Sequence, residues 1–170
     1  MFENILKILK ENNIDFDLVE HEESKSCEDS KNFREKLGLS GIGSKNIVFH
    51  AKGSFYLVTT IGEKEIKARK FKKEFGTKDI RFATQEEITE VLGAVIGSIP
   101  PFGFKNEQIK IFVDKDIFNY EYFMFNPGVP TKTIRIKTFD LQNIYNKIIN
   151  EKIYFDSSST GELIFIKNNL

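Results

Sequence analysis

The chain has 170 residues, 40% of them apolar, with 17 phenylalanines. That is enough to build one core, and it excludes a disordered chain. Its 25 basic and 25 acidic side chains cancel, which argues against a general binder of long nucleic acid such as DNA, although a local patch could still hold the end of an RNA.

Phe2, Ile5, Leu6 and Leu9 recur at helical spacing, so residues 2–12 read as an amphipathic helix stopped by Asn12-Asn13. Phe16, Leu18 and Glu20 alternate as a short strand. Ser26 is placed to cap a second helix, with Asp29 three residues on as a capping box. Phe33 and Leu37 share the inner face of that helix, and Gly38 ends it. Residues 46–51 and 54–61 read as strands joined at Lys52-Gly53, a hairpin signal. The spacing predicts a helix over 66–75, with Ile66, Phe71 and Phe75 inward and Gly76 as its stop. Ile80 and Phe82 mark another short strand. Thr84-Gln85-Glu86-Glu87 is a stronger capping box; it opens a helix carrying Ile88, Val91 and Leu92, which Gly93 closes.

Beyond a Gly/Pro loop, residues 109–113 and 120–125 read as strands and Asn126-Pro127-Gly128-Val129-Pro130 as a turn. Ile134 and Ile136 alternate in a further strand, and Leu141, Ile144, Tyr145 and Ile148 mark a last helix. Residues 153–155 and 163–166 form either a hairpin across Ser157-Ser158-Ser159-Thr160-Gly161 or a partner-binding appendage. Strands and helices alternate without a strict βαβ period. That favours a mixed sheet with peripheral helices over a doubly wound parallel sheet, in a single domain spanning 1–170.

One cysteine, Cys27, rules out an internal disulfide framework, and two histidines argue against a zinc site. The first residues carry charges throughout, and no stretch approaches the ~20 apolar residues of a membrane span, so a cytoplasmic protein without a membrane partner is expected. Gly41-Ile42-Gly43 lacks the third glycine of a dinucleotide fingerprint, and there is no P-loop or nucleophile elbow. No cofactor and no metal are expected. The run Lys64, Lys67, Arg69, Lys70, Lys72, Lys73 reads either as a solvated helix face or as a contact for RNA phosphates.

The segment Gly97-Ser98-Ile99-Pro100-Pro101-Phe102-Gly103-Phe104 suits neither a helix nor a central strand. Proline fixes φ and removes donors, while glycine permits close approach to bare backbone, so the segment fits a rigid loop that holds a small group. Four pieces in order then resemble the YbaK/prolyl-tRNA synthetase-associated (INS-like) editing domain family over about residues 2–149. They are His21 with Ser30; Lys45-Asn46-Ile47-Val48-Phe49; Gly97-Ser98-Ile99-Pro100-Pro101-Phe102-Gly103; and Asn126-Pro127-Gly128 through Thr133-Ile134-Arg135-Ile136 to Asp140-Leu141. Residues 150–170 lie outside the resemblance as a C-terminal extension.

The resemblance implies a mixed α/β fold with a barrel-like sheet and a pocket for the terminal adenosine and aminoacyl group of tRNA. Lys45 matches the family lysine that orients the substrate. Residues 97–101 match the wall that presents backbone groups, continued here by Phe102 and Gly103. Ser26, Asn126 and Gly128 complete the implied binding set. Two positions depart from the pattern: Asn126 stands where relatives carry His or Ser, and Pro100 where relatives carry a hydroxyl or small residue. An asparagine cannot titrate near neutral pH and so cannot be a general base.

The implied activity is trans-editing hydrolysis of mischarged tRNA, foremost Ala-tRNA(Pro), with a substrate ribose hydroxyl assisting water. Cys-, Ser- or Thr-charged tRNA is the alternative within that class. A non-catalytic module binding tRNA or prolyl-tRNA synthetase is the alternative outside it, and a binder of a small free amino acid is a third reading.

Overall fold

The computed structural model describes residues 1–23, 27–36, 38–157 and 162–166, with the side chains of 27–30 and 157 left aside. Five helices accompany nine strands among them: α1 (Phe2–Glu11), α2 (Cys27–Lys36), α3 (Lys72–Phe75), α4 (Gln85–Leu92) and α5 (Thr138–Lys147). The strands are β1 (Asp17–Glu20), β2 (Ile42–Ala51), β3 (Ser54–Ile61), β4 (Arg81–Phe82), β5 (Lys110–Asp114), β6 (Tyr122–Phe125), β7 (Lys132–Lys137), β8 (Lys152–Ser157) and β9 (Leu163–Ile166). They join one mixed sheet in the order β1-β7-β6-β2-β3-β5-β8-β9, with β4 pairing β2 off that path.

β2 is the pivot. Ile42 and Gly43 run parallel to Phe123 and Met124 of β6, while Ser44 to Ala51 pair antiparallel with β3. The β2–β3 turn places both Lys52 (φ 50°) and Gly53 (φ 71°) at positive φ, as a two-residue hairpin demands. β3, β5 and β8 then run parallel to one another, and β9 folds back on β8.

The period-two geometry of a strand sends alternate residues to opposite faces, and in the central strands both faces are buried. Val48, Leu57, Ile111, Val113 and Tyr154 enter one core, under α1, α4 and α5, together with Phe102, Phe123 and Phe125. Phe49, Val58, Phe112, Ile153 and Phe155 enter a second core with Phe71 and Phe75. That second core is built of ring contacts, including Phe71 edge-on to Phe112 at 5.7 Å and Phe75 stacked on Tyr56 at 4.0 Å. Offset and edge-to-face packing of this kind is favoured by the ring quadrupole.

Several expectations hold. Thr84 caps α4 through a reciprocal box with Glu87, and Gly93 ends it in the left-handed region (φ 68°). The last two strands form a hairpin, and β8 also enters the main sheet beside β5. Others are corrected. β2 begins at Ile42 rather than at residue 46, because its first residues find a partner in β6. The helix expected over 66–75 is a 3₁₀ turn at Ala68–Phe71 followed by α3, and Ile66 precedes both. A 3₁₀ turn at Lys115–Asn119, capped by the Asp114 side chain, separates β5 from β6 where no element was expected. Among the described side chains of α2, Arg34 is buried, while Phe33 is only half-buried and stacks on His21 at 5.4 Å. Leu37 and the Ser26 cap lie outside the described residues.

Candidate functional site

Residues 98–103 carry two adjacent prolines and cannot join the sheet, so their backbone carbonyls must find partners elsewhere. Four of them do, each from a different element. The Gly128 N–H donates to the Ser98 carbonyl at 3.0 Å. Asn46 Nδ2 donates to the Ile99 carbonyl at 2.8 Å. The Tyr145 hydroxyl reaches the Pro101 carbonyl at 3.4 Å, and Asn4 Nδ2 the Gly103 carbonyl at 2.6 Å. The turn, β2, α5 and α1 therefore clamp one short segment. Burial pushes the Tyr145 hydroxyl well above its ordinary range, so it stays a donor.

The glycines are required by the same geometry. Gly103 has φ 94°, and a Cβ there would lie 2.7 Å from Ile5 Cγ1; Gly128 has φ 82°, and a Cβ would meet Met1 Cγ at 2.4 Å. Gly97, at φ 87°, instead faces open space. Ser98, Ile99, Pro100, Pro101 and Phe102 are buried. The Ser98 hydroxyl turns back onto the Val95 carbonyl, and Phe102 packs edge-on against Phe125 at 5.4 Å. The exposed backbone of this wall is therefore at Gly97, while Phe102 fixes the loop to the core.

Lys45 lies on β2 beside Asn46 and is half-buried. Its Nζ donates to the backbone carbonyl of Lys64 at 2.6 Å. Lys64 in turn donates to Asp114 at 2.8 Å and Asp116 at 2.5 Å. Burial opposes the Lys64 charge, but its hydrogen bonds to Asp114 and Asp116 and their negative charges together raise its pKa. Asp114 is fully buried and also accepts from the Thr60 hydroxyl at 2.5 Å.

Asn126, directly after β6, is 7% exposed. Its Nδ2 donates to the Lys132 carbonyl at 3.0 Å, and its Oδ1 accepts from Arg34 at 3.4 Å. The Arg34 guanidinium lies against Gly43, where a Cβ would come within 2.2 Å of Nη1. Gly43 pairs with Met124, so Lys45 on β2 and Asn126 just past the end of β6 each follow that paired position by two residues. The structure thus connects Asn126, Gly128, the loop and the β2 segment bearing Lys45, while Ser26 lies outside the described residues.

Arg34, Lys64 and Asp114 are the polar residues that motif reading missed. Lys64 had stood only as one member of a basic run. That run is not uniform: Lys64 is half-buried between two carboxylates, Lys67 pairs with Glu65 at 3.0 Å, and Arg69, Lys72 and Lys73 are exposed. No group of three or more metal-type ligands occurs among the described residues, and none of their helices is long and apolar enough to cross a membrane.

Comparison with known proteins matches residues 21–144 to the family described as the aminoacyl-tRNA editing domain. The chain is 27% identical over 148 residues to the multifunctional Ser/Thr-tRNA deacylase ProXp-y of Escherichia coli (strain K12), covering 84% of this chain and 86% of that one. It is 39% identical over 70 residues to a proline--tRNA ligase of Staphylococcus aureus (strain Newman), which is 41% of this chain and 12% of the ligase. A crystal structure described as a candidate trans-editing enzyme for prolyl tRNA synthetase shares the fold, with TM-score 0.72 and 21% identity over 89% of this chain and 93% of that one.

Proposed function

The chain belongs to the aminoacyl-tRNA editing domain family and is an aminoacyl-tRNA deacylase; from that premise we propose that it acts as a free-standing trans-editing hydrolase removing a small, wrongly attached amino acid, with alanine on tRNA(Pro) as first substrate. The observation that carries the proposal is the clamped wall. Four carbonyls of residues 98–103 are held by four elements. A wall that cannot yield rejects a bulky cyclic side chain by clash, and clash discriminates more strongly than one extra methylene attracts.

In this reading the aminoacyl ester lies between Lys45 and the backbone at Gly97. Lys45 leaves or shares its carbonyl partner to orient the ester, and donors at the loop balance charge on the developing oxyanion. The attacking water is assisted by the neighbouring ribose hydroxyl of the substrate, as the family resemblance implies, and Asn126 is not a base in this reading. Asn126, fixed at both ends of its amide, shapes the aminoacyl pocket.

A second reading, that serine or threonine is the amino acid removed, is favoured by the similarity to ProXp-y over most of the chain. The similarity to a proline--tRNA ligase supports prolyl-tRNA synthetase as a partner. Hydrolysis of tRNA(Pro) charged in turn with Ala, Cys, Ser, Thr and Pro tests the proposal. Rapid release of alanine with proline spared is expected; release of serine or threonine instead selects the second reading. Release of proline at an equal rate overturns selection by the wall.

A further inference from the structure

We propose that Lys64 is a positioning residue for Lys45, with Asp114 and Asp116 holding the Lys64 backbone carbonyl where Lys45 docks. The inference rests on the reading of Lys45 as the residue that orients the ester.

The segment between β3 and the 3₁₀ turn would not by itself hold a fixed carbonyl. Among the described residues its backbone bonds are the Gly62 N–H to the Gly43 carbonyl at 2.8 Å and the Lys64 N–H to the Ile61 carbonyl at 3.0 Å, and the exposed Glu63 pairs with Lys31 at 2.8 Å. The Lys64 side chain supplies a further tie, reaching Asp114 and Asp116 some fifty residues away. Asp114 is itself immobile: it is fully buried at the end of β5 and accepts from Thr60, from Lys64 and from the Asp116 N–H at 3.0 Å. A buried carboxylate is tolerated when donors meet its lone pairs, and this one has three.

The consequence falls on Lys45. A lysine stem has four rotatable bonds and much rotamer freedom to lose on fixing. A stationary acceptor 2.6 Å from its Nζ restricts those rotamers before substrate arrives. Among the described residues the hydrogen bonds of these carboxylates go to Lys64, Thr60, Asn119 and the Asp116 N–H, and Thr60 is the cross-strand partner of Lys45, so the post is fixed beside the strand that carries the lysine. The charge cluster thereby has a use beyond stability: it sets where the site lysine begins its reach.

Three variants test this with two readouts, steady-state deacylation and the rate at which N-hydroxysuccinimidyl acetate acylates Lys45, followed by mass spectrometry. Lys64→Met should lower kcat about tenfold with KM within about twofold, because misplacement of an orienting group costs rate rather than uniform binding. Acylation of Lys45 should quicken several-fold, and Lys64→Arg should restore most of kcat. Asp116→Asn leaves buried Asp114 paired and serves where Lys64→Met folds poorly; it should shift both readouts in the same direction, by less. Wild-type kcat and unchanged Lys45 acylation in these variants, with Lys45→Ala inactive, would overturn the inference alone. Full activity of Lys45→Ala would overturn the reading of Lys45 and this inference with it.

Discussion

The wall at residues 98–103 and the tether of Lys45 are fixed by different chemistry. Neutral donors hold the wall: two asparagine amides, one tyrosine hydroxyl and one backbone N–H. Charges hold the tether, with Lys64 between Asp114 and Asp116. Neutral bonds in a buried setting are indifferent to salt and to pH across the ordinary range, whereas an ion pair with a partly exposed member is screened. On the proposed reading, shape selection falls to the insensitive part and placement of the lysine to the adjustable one.

Breaking the wall should have the largest effect on folding. Gly103→Ala combines positive φ with a Cβ 2.7 Å from a core isoleucine, and should cost about 3 kcal/mol in urea unfolding. Breaking the tether comes next. Lys64→Met leaves Asp114 buried without its cation and should cost about 2 kcal/mol, below the figure for a fully buried pair because Lys64 is partly exposed.

The pH dependence sharpens the contrast. The folded pKa of Lys64 is raised above its ordinary 10.5. The tether's contribution is therefore fully present below that value and is lost only as pH rises through the higher folded one. The stability gap between wild type and Lys64→Met should stay constant through neutral pH and narrow above about 10.5. A gap that closes near pH 7 would mean that another group carries the effect. The smallest effect is expected at the open lip of the wall. Gly97→Ala has φ strain but no clash, and should cost about 1 kcal/mol while raising KM more than it lowers stability.

The difference also explains what could be read from the chain itself. The loop was legible because Gly97, Pro100, Pro101 and Gly103 carry their backbone constraints in their own chemistry. The Thr84 box and the Lys52-Gly53 turn were legible for the same reason, since each is closed within a few residues. The tether was not. Lys64 finds Asp114 and Asp116 fifty and fifty-two positions away, through strand pairing that local spacing cannot encode. Arg34 was hidden in a charged helix, and only the missing side chain of Gly43 gives it a buried place. Asn126 was found through the family pattern, but its fixed amide, bonded at both ends, became visible only in three dimensions.

The central claim is that Lys45, resting on the Lys64 carbonyl, carries the deacylation. Single-turnover hydrolysis of Ala-tRNA(Pro) by wild type and by Lys45→Ala, with matching unfolding curves, tests it most directly. A rate loss of about a hundredfold or more in the folded variant is predicted. An unchanged rate would contradict the account.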